Sequence, residues 1–364
     1  MKIKALEHIW KIDSILLGAI LILVSLGLLI IYSIDFSATQ TTLGHFYKQI
    51  LALIIGLSFM TVLFFIDFRQ IQTASIFIYL FGILLLIGVL FFGLTIRGTT
   101  GWFRIGGISF QPVELVKVAF AIFLASYFAK HIHKKMNWII FSGSFIAMLI
   151  YVALILMQPD FGSAMIIVVM WGTAVALAGL PWKAWLSILF AGVLIMGLSW
   201  NLLQPYQKAR ITSFLNPEAD PLGSGYNVIQ AKTAIGSGGI WGKGIGEGSQ
   251  THLRFLPEAS TDFIFAVIGE ELGFIGVFFV IILLGVILIR IIWIVYQSNN
   301  VFASIYSIMI VGMLGTHTLI NIGMNMGLMP VTGIPLPFAS AAASSLISNF
   351  IAIGIIQNIK SHLK

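Results

Sequence analysis

The sequence predicts an all-α, polytopic integral membrane protein of about ten transmembrane helices, and three observations carry that prediction. Hydrophobic residues make up 59% of the 364 and charged residues only 9%, with a mean hydropathy of +1.03. A chain so apolar cannot clothe a soluble domain in water-exposed surface. Its apolar runs recur at ~20 residues, the length a helix needs to cross a bilayer, and lysine and arginine concentrate in alternate gaps between them. The formal charge of +7 therefore reads as orientation among membrane lipids and not as nucleic-acid binding. The absence of cysteine excludes disulfides, thiolate nucleophiles and cysteine metal sites.

Taken in order, the spans fall near 13–33, 46–66, 73–93, 111–129, 138–157, 161–180, 184–203, 262–289, 301–326 and 338–358. The first, with Ile15 to Tyr32 at its core, is long enough to stay in the membrane and lacks the small-residue cleavage site of a removable signal. The fifth and sixth are parted only by Gln158 to Asp160, an interfacial turn that Asp160 fixes. With a cytoplasmic N-terminus, Lys11, Arg69, Lys130, Lys134, Lys135, Lys183, Arg290 and Lys360 all fall inside, which places both termini there. The loop 92–110 and the long loop 202–261, between the seventh and eighth spans, then share the outer face of a single transmembrane domain, 1–364.

The first loop is chemically plain, and its His45 reads as an interfacial or packing residue. In the second outer loop Arg97 and Arg104 flank glycines, and Trp102 with Phe103 offers flat apolar surface. Gln111-Pro112 then opens a helix, since proline is tolerated in a first turn. Glu114 and Lys117 follow three residues apart, on one face, where they can pair. Two readings stay open for them: a buried structural ion pair, or a pair facing a polar cavity, because intramembrane charges seldom face lipid.

The long loop brings Lys208 and Arg210 close to the membrane surface. Residues 226–236 read as a short amphipathic helix lying on lipid through Val228, Ile229 and Ala231. The glycine-rich stretch after it lacks the spacing of a nucleotide P-loop, yet bare backbone N–H groups beside Lys232, Lys243 and Arg254 could cradle a pyrophosphate. Glu258, after Pro257, orients the loop, and Asp262 stands where a polar excursion enters a membrane helix, the expected place for a general base. Glu270 and Glu271, two turns deeper, read as structural. In the last two spans small residues allow close helix approach while Asn321, Asn325 and Ser344 hydrogen-bond across it. Pro330, Pro335 and Pro337 stiffen the hairpin between these spans, with Thr332, Gly333 and Ser340 as pocket-lining candidates.

The segments GGISFQPVELVK, LILMQPDFGSA, GKGIGEGSQTHLRFLPEASTDFIFAVIGEELG and NIGMNMGLMPVTGIPLPFASAAASS, in this order across ten spans, resemble the SEDS family, and its elongation branch more than its division or sporulation branches. The resemblance implies a peptidoglycan glycosyltransferase that polymerises lipid II on the outer face of the bacterial cytoplasmic membrane, for cell elongation and rod shape. It implies a class B penicillin-binding protein, a transpeptidase, as partner, together with the elongation machinery. The family's essential aspartate falls on Asp262, its fourth-span glutamate and lysine on Glu114 and Lys117, and its outer-loop tryptophan on Trp102. Where many members carry histidine, this chain has Ser260, so no imidazole acts there. In the implied chemistry Asp262 takes the acceptor's proton while Lys117, Arg104, Lys243 or Arg210 neutralises the leaving pyrophosphate. A divalent cation could assist, but no clustered ligand set assigns it a site. A lipid II flippase and a non-catalytic scaffold for the penicillin-binding protein remain as alternatives.

Overall fold

The computed structural model describes residues 11–36, 43–96, 98–105, 108–131, 136–182, 184–186, 208, 212–221, 223 and 225–363. The chain is an all-α polytopic membrane protein. Its helices are α1 (Ser14–Asp35), α2 (Gly44–Phe65), the short α3 (Phe68–Thr73), α4 (Ser75–Phe92), α5 (Pro112–His131), α6 (Trp138–Leu156), α7 (Phe161–Leu177), α8 (Tyr226–Ser237), α9 (Ser249–His252), α10 (Ile264–Gln297), α11 (Val301–Asn325) and α12 (Ala343–Ser361).

Among the described residues seven helices, α1, α2, α4, α5, α6, α10 and α11, are long and apolar enough to cross a membrane, against the ten spans predicted. Two physical reasons, and the reach of the described residues, account for the difference. α7 is apolar but only 17 residues long. α12 has 19 residues, yet Ser344, Ser345, Ser348, Asn349, Gln357 and Asn358 are buried along it, so protein contacts replace the lipid-facing apolar surface. The predicted span 184–203 lies almost wholly outside the described residues. The second outer loop, read from the sequence as a loop, carries strands. Residues rich in threonine, isoleucine and aromatics form a small antiparallel sheet of β1 (Leu94–Ile96), β2 (Thr99–Ile105) and β3 (Ile108–Phe110), in the order β1-β2-β3.

α5 is the most enclosed span, with α4, α7, α11 and α12 packed around it and Val116, Phe120 and Leu124 fully buried. The apolar faces of α2 and α4 stay exposed, Phe77 at 72% and Leu84 at 65%, as surfaces turned to lipid must be. Polar side chains close both ends of the bundle. At one end Arg290 chelates Asp13 through Nη2 at 2.7 Å and Nε at 3.1 and 3.2 Å, and Asp13 exchanges backbone hydrogen bonds with the Gln357 amide at 2.8 and 3.1 Å. The starts of α1 and the end of α12 therefore meet. At the other end of α1 the buried Asp35 caps α2, accepting the N–H groups of His45 and Phe46 at 2.9 Å each and the His45 ring at 3.1 Å. His45 thus stands half-exposed at the start of α2 with its ring hydrogen-bonded to Asp35.

α10 is broken at Gly273, where φ is 66° and ψ is −162°. A break frees backbone groups that hydrocarbon cannot satisfy, and the glycine-rich loop satisfies them. Phe274 and Ile275 donate to the carbonyls of Gly239 and Ile240 at 2.9 and 3.3 Å, while Lys243 and Gly244 donate to those of Glu270 and Glu271 at 3.0 Å each. The loop is a splint for this helix, and the N–H groups of Gly242, Lys243 and Gly244 are spent on backbone carbonyls of the loop itself and of α10. Gly242 sits at φ +81°, and a Cβ there would collide with the Glu271 carbonyl, whereas a Cβ on Gly236 meets nothing. Gly242→Ala is expected to lower the melting temperature in detergent while Gly236→Ala leaves it unchanged, since an L-residue at that positive φ is strained even before the collision. α8 is a correction as well: Val228, Ala231 and Ala234 are buried against α10 and α11, not laid on lipid.

Candidate active site

Asp262 sits in the turn that leads into α10, and the backbone around it is held from several directions. Glu258, at φ +55°, offers its carbonyl to the N–H groups of Thr261, Asp262 and Phe263 at 3.1, 3.1 and 3.3 Å, and its carboxylate accepts the Thr261 hydroxyl at 3.1 Å. The Asp262 carbonyl accepts the amides of Asn321 and Asn325 at 3.0 and 3.1 Å. Ser340 donates to the Thr261 carbonyl at 2.6 Å and accepts the Leu336 N–H at 2.9 Å. With the main chain fixed by these bonds, the carboxylate moves only through its own side-chain torsions. Gly333 comes up against it, at φ +75°, and a Cβ there would stand 3.5 Å from Asp262 Oδ2.

Ser340→Ala removes one of these ties and strands the Leu336 N–H, at a cost of about 1–3 kcal/mol. The expected outcome is a lower melting temperature, which calorimetry would measure.

Below this turn the ends of α5, α7 and α11 enclose a cavity of about 30 Å³, the volume of roughly one water-sized group. Lys117 lies in its wall, fully buried, with Nζ 2.8 Å from Glu114 Oε1 and 2.9 Å from His317 Nε2. Asp160 lines it too, capping α7 through the Ser163 N–H at 2.9 Å and accepting the Gln111 side chain at 3.3 Å. Thr332 contributes a buried hydroxyl with no hydrogen-bond partner. The space is too small for a sugar ring; its Lys117 ammonium and free Thr332 hydroxyl can meet a single oxygen atom, while the Glu114 and Asp160 carboxylates are engaged by Lys117 and by Ser163 and Gln111. A larger cavity, about 200 Å³, opens at the opposite end of α5 around Phe128, His131 and Asn300. It holds none of the predicted site residues.

A family profile described as "Cell cycle protein", that of the FtsW, RodA and SpoVE proteins, matches residues 13–364. The chain belongs to the SEDS family. It is 34% identical over 358 residues to the peptidoglycan glycosyltransferase MrdB of Escherichia coli K12, covering 97% of this chain and 95% of that one. It is 36% identical over 366 residues to the probable peptidoglycan glycosyltransferase FtsW of Coxiella burnetii, covering 96% of each. Among solved structures, a chain of a peptidoglycan synthase complex that coordinates polymerization and crosslinking superposes with a TM-score of 0.82 at 29% identity, over 97% of this chain and 99% of that one. The Thermus thermophilus rod shape determining protein RodA gives 0.72 at 27% identity, over 97% of each chain.

Within this SEDS fold the predicted residues separate into groups. Glu114 and Lys117 line the cavity, and Asp262 meets Gly333 of the same wall. Glu258 and Ser340 hold the Asp262 turn, and neither lines the cavity. Trp102 and Arg104 lie on β2, opposite Leu94 and Ser109. That strand runs past the rim, because a Cβ on Gly101 would meet the side chains of Gln158 and Gln111 at 3.4 and 4.0 Å. Lys243 is committed elsewhere, bonding Glu270 and Ser249 at 2.9 Å each. Arg210 and Arg97 lie outside the described residues. Sequence reasoning passed over His317 and gave Gln111 and Asp160 only structural roles. A signal for His317 existed: His317, Asn321 and Asn325 recur every four residues along α11, one strongly polar face that must meet protein.

Proposed function

We propose that this chain is a peptidoglycan glycosyltransferase that polymerises lipid II by inverting transfer. The observation that carries the reading is SEDS membership along residues 13–364 combined with one carboxylate, Asp262, clamped beside a cavity that holds a buried lysine. The acceptor 4-hydroxyl attacks the anomeric carbon of the donor sugar as the bond to the undecaprenyl pyrophosphate oxygen breaks. Asp262 accepts the hydroxyl proton, and Lys117 stabilises the charge growing on the pyrophosphate. One displacement inverts the linkage from alpha to beta and needs no second, nucleophilic carboxylate. Trp102 and Arg104, on β2 beside the rim, offer a stacking surface and a second cation.

The same reading makes residues 1–364 one transmembrane domain of the bacterial inner membrane, with both termini cytoplasmic, the loop 202–261 outside and the site on the outer face. Its partner is a class B penicillin-binding protein, in keeping with the synthase complex that the fold resembles. The broken helix α10 also suits a transporter, so the test must separate catalysis from transport. Purified chain and partner in liposomes, given lipid II from outside, are expected to form glycan polymer. Movement of labelled lipid II with no polymer would replace the reading with transport, and polymer formed equally well by an Asp262 variant would leave a scaffold.

A further inference from the structure

The Lys117 ammonium has three N–H donors and no lone pair. Glu114 Oε1 takes one at 2.8 Å and His317 Nε2 another at 2.9 Å. Since the ammonium cannot accept, Nε2 supplies the lone pair and the imidazole proton sits on Nδ1, facing the Pro335 carbonyl at 3.4 Å. The ring is thereby neutral and oriented from both sides. An ammonium turns about a single bond, so two acceptors set the direction of its third N–H. Glu114, Lys117, His317 and Pro335 all border the same cavity.

We propose that His317 is a positioning residue that aims the third N–H of Lys117 into this cavity, toward an anionic oxygen of the substrate's pyrophosphate. The proposal rests on the glycosyltransferase reading and adds to it the group that directs the charge. Glu114 alone, from the same helix, ties the ammonium by one hydrogen bond and lets the long lysine side chain swing Nζ around it. A carboxylate in place of His317 would also hold the ammonium but add a third negative charge to those of Glu114 and Asp160 and repel a pyrophosphate. A neutral imidazole orients the cation and leaves the charge balance as it is. Through Pro335 it also reaches the segment that sets Gly333 against Asp262, so cation and base share one support.

The test compares three substitutions in the complete complex with lipid II. Gln Oε1 ends as many bonds from Cα as His Nε2 and can still accept from Lys117, whereas Asn ends at the level of Nδ1 and falls short. His317→Leu removes the acceptor altogether. His317→Leu and His317→Asn are expected to lower kcat by ~10-fold or more with a smaller change in KM, because misaimed charge acts mainly on the transition state. His317→Gln should recover most of that loss. Equal activity of the Gln and Asn variants, or wild-type turnover by folded His317→Leu, would overturn the proposal. Should His317→Leu fail to fold, as a detergent melt would reveal, the comparison of Gln with Asn decides alone. A wild-type complex that makes no polymer would instead overturn the glycosyltransferase reading itself, and this inference with it.

Discussion

Replacing Asp262 with asparagine is expected to reduce polymerisation by ~10²-fold or more while leaving the fold, partner binding and lipid II binding in place. The substitution changes neither size nor the backbone clamps, since Glu258, Asn321, Asn325 and Ser340 all grip main-chain atoms of this turn. What it removes is the ability to take a proton from the acceptor hydroxyl. Asp262→Glu restores the carboxylate but displaces it by about 1 Å, and misplacement of that size can itself cost ~10²-fold. With the main chain pinned and Gly333 pressed close, the turn cannot shift to absorb the extra methylene. Polymer formed per folded complex is the measurement, and near-normal turnover by Asp262→Asn would move the base to another acid.

The second large effect concerns Glu114 and Lys117. Changing only Lys117 to methionine leaves Glu114, 5% exposed, as an uncompensated buried carboxylate, and breaking such a pair costs about 3–5 kcal/mol. The single variant should therefore lose both stability and activity. Replacing both residues by apolar side chains of similar volume removes the charges together, and exchanges of that kind are often near neutral. Here they also leave His317 Nε2 without its donor, an orphan worth about 1–3 kcal/mol, so full recovery of stability should require His317→Leu as well. The expected result is a folded protein with little polymerase activity, read from a detergent melt and turnover on one sample. Full activity in the folded double variant would reduce the pair to a structural role.

Most of the span positions were legible in the sequence, because the length and periodicity of an apolar run are local properties. Local spacing also put Glu114 and Lys117 on one face of a helix beginning at Pro112, and put Asp262 at the entrance of a span. The count of spans failed where tertiary burial changes what a helix must look like. α12 can carry seven buried polar residues because neighbouring helices, α2 and α5 foremost, pack over it, a fact with no local signature. The glycine-rich loop failed for a related reason: its glycines announce close approach of backbone, but not to what.

By itself, then, the sequence determined that the chain is a bundle of membrane helices, which acids and cations stand as candidates for the site, and which family motifs they carry. Tertiary structure alone decided that the glycine loop splints the break in α10, that Gly333 meets Asp262, and that His317 reaches Lys117 across 200 positions of chain. The division has one physical cause. Periodicity, capping and hydropathy act between residues a turn apart and are written in spacing, whereas a hydrogen bond between distant helices depends on where packing brings their faces together.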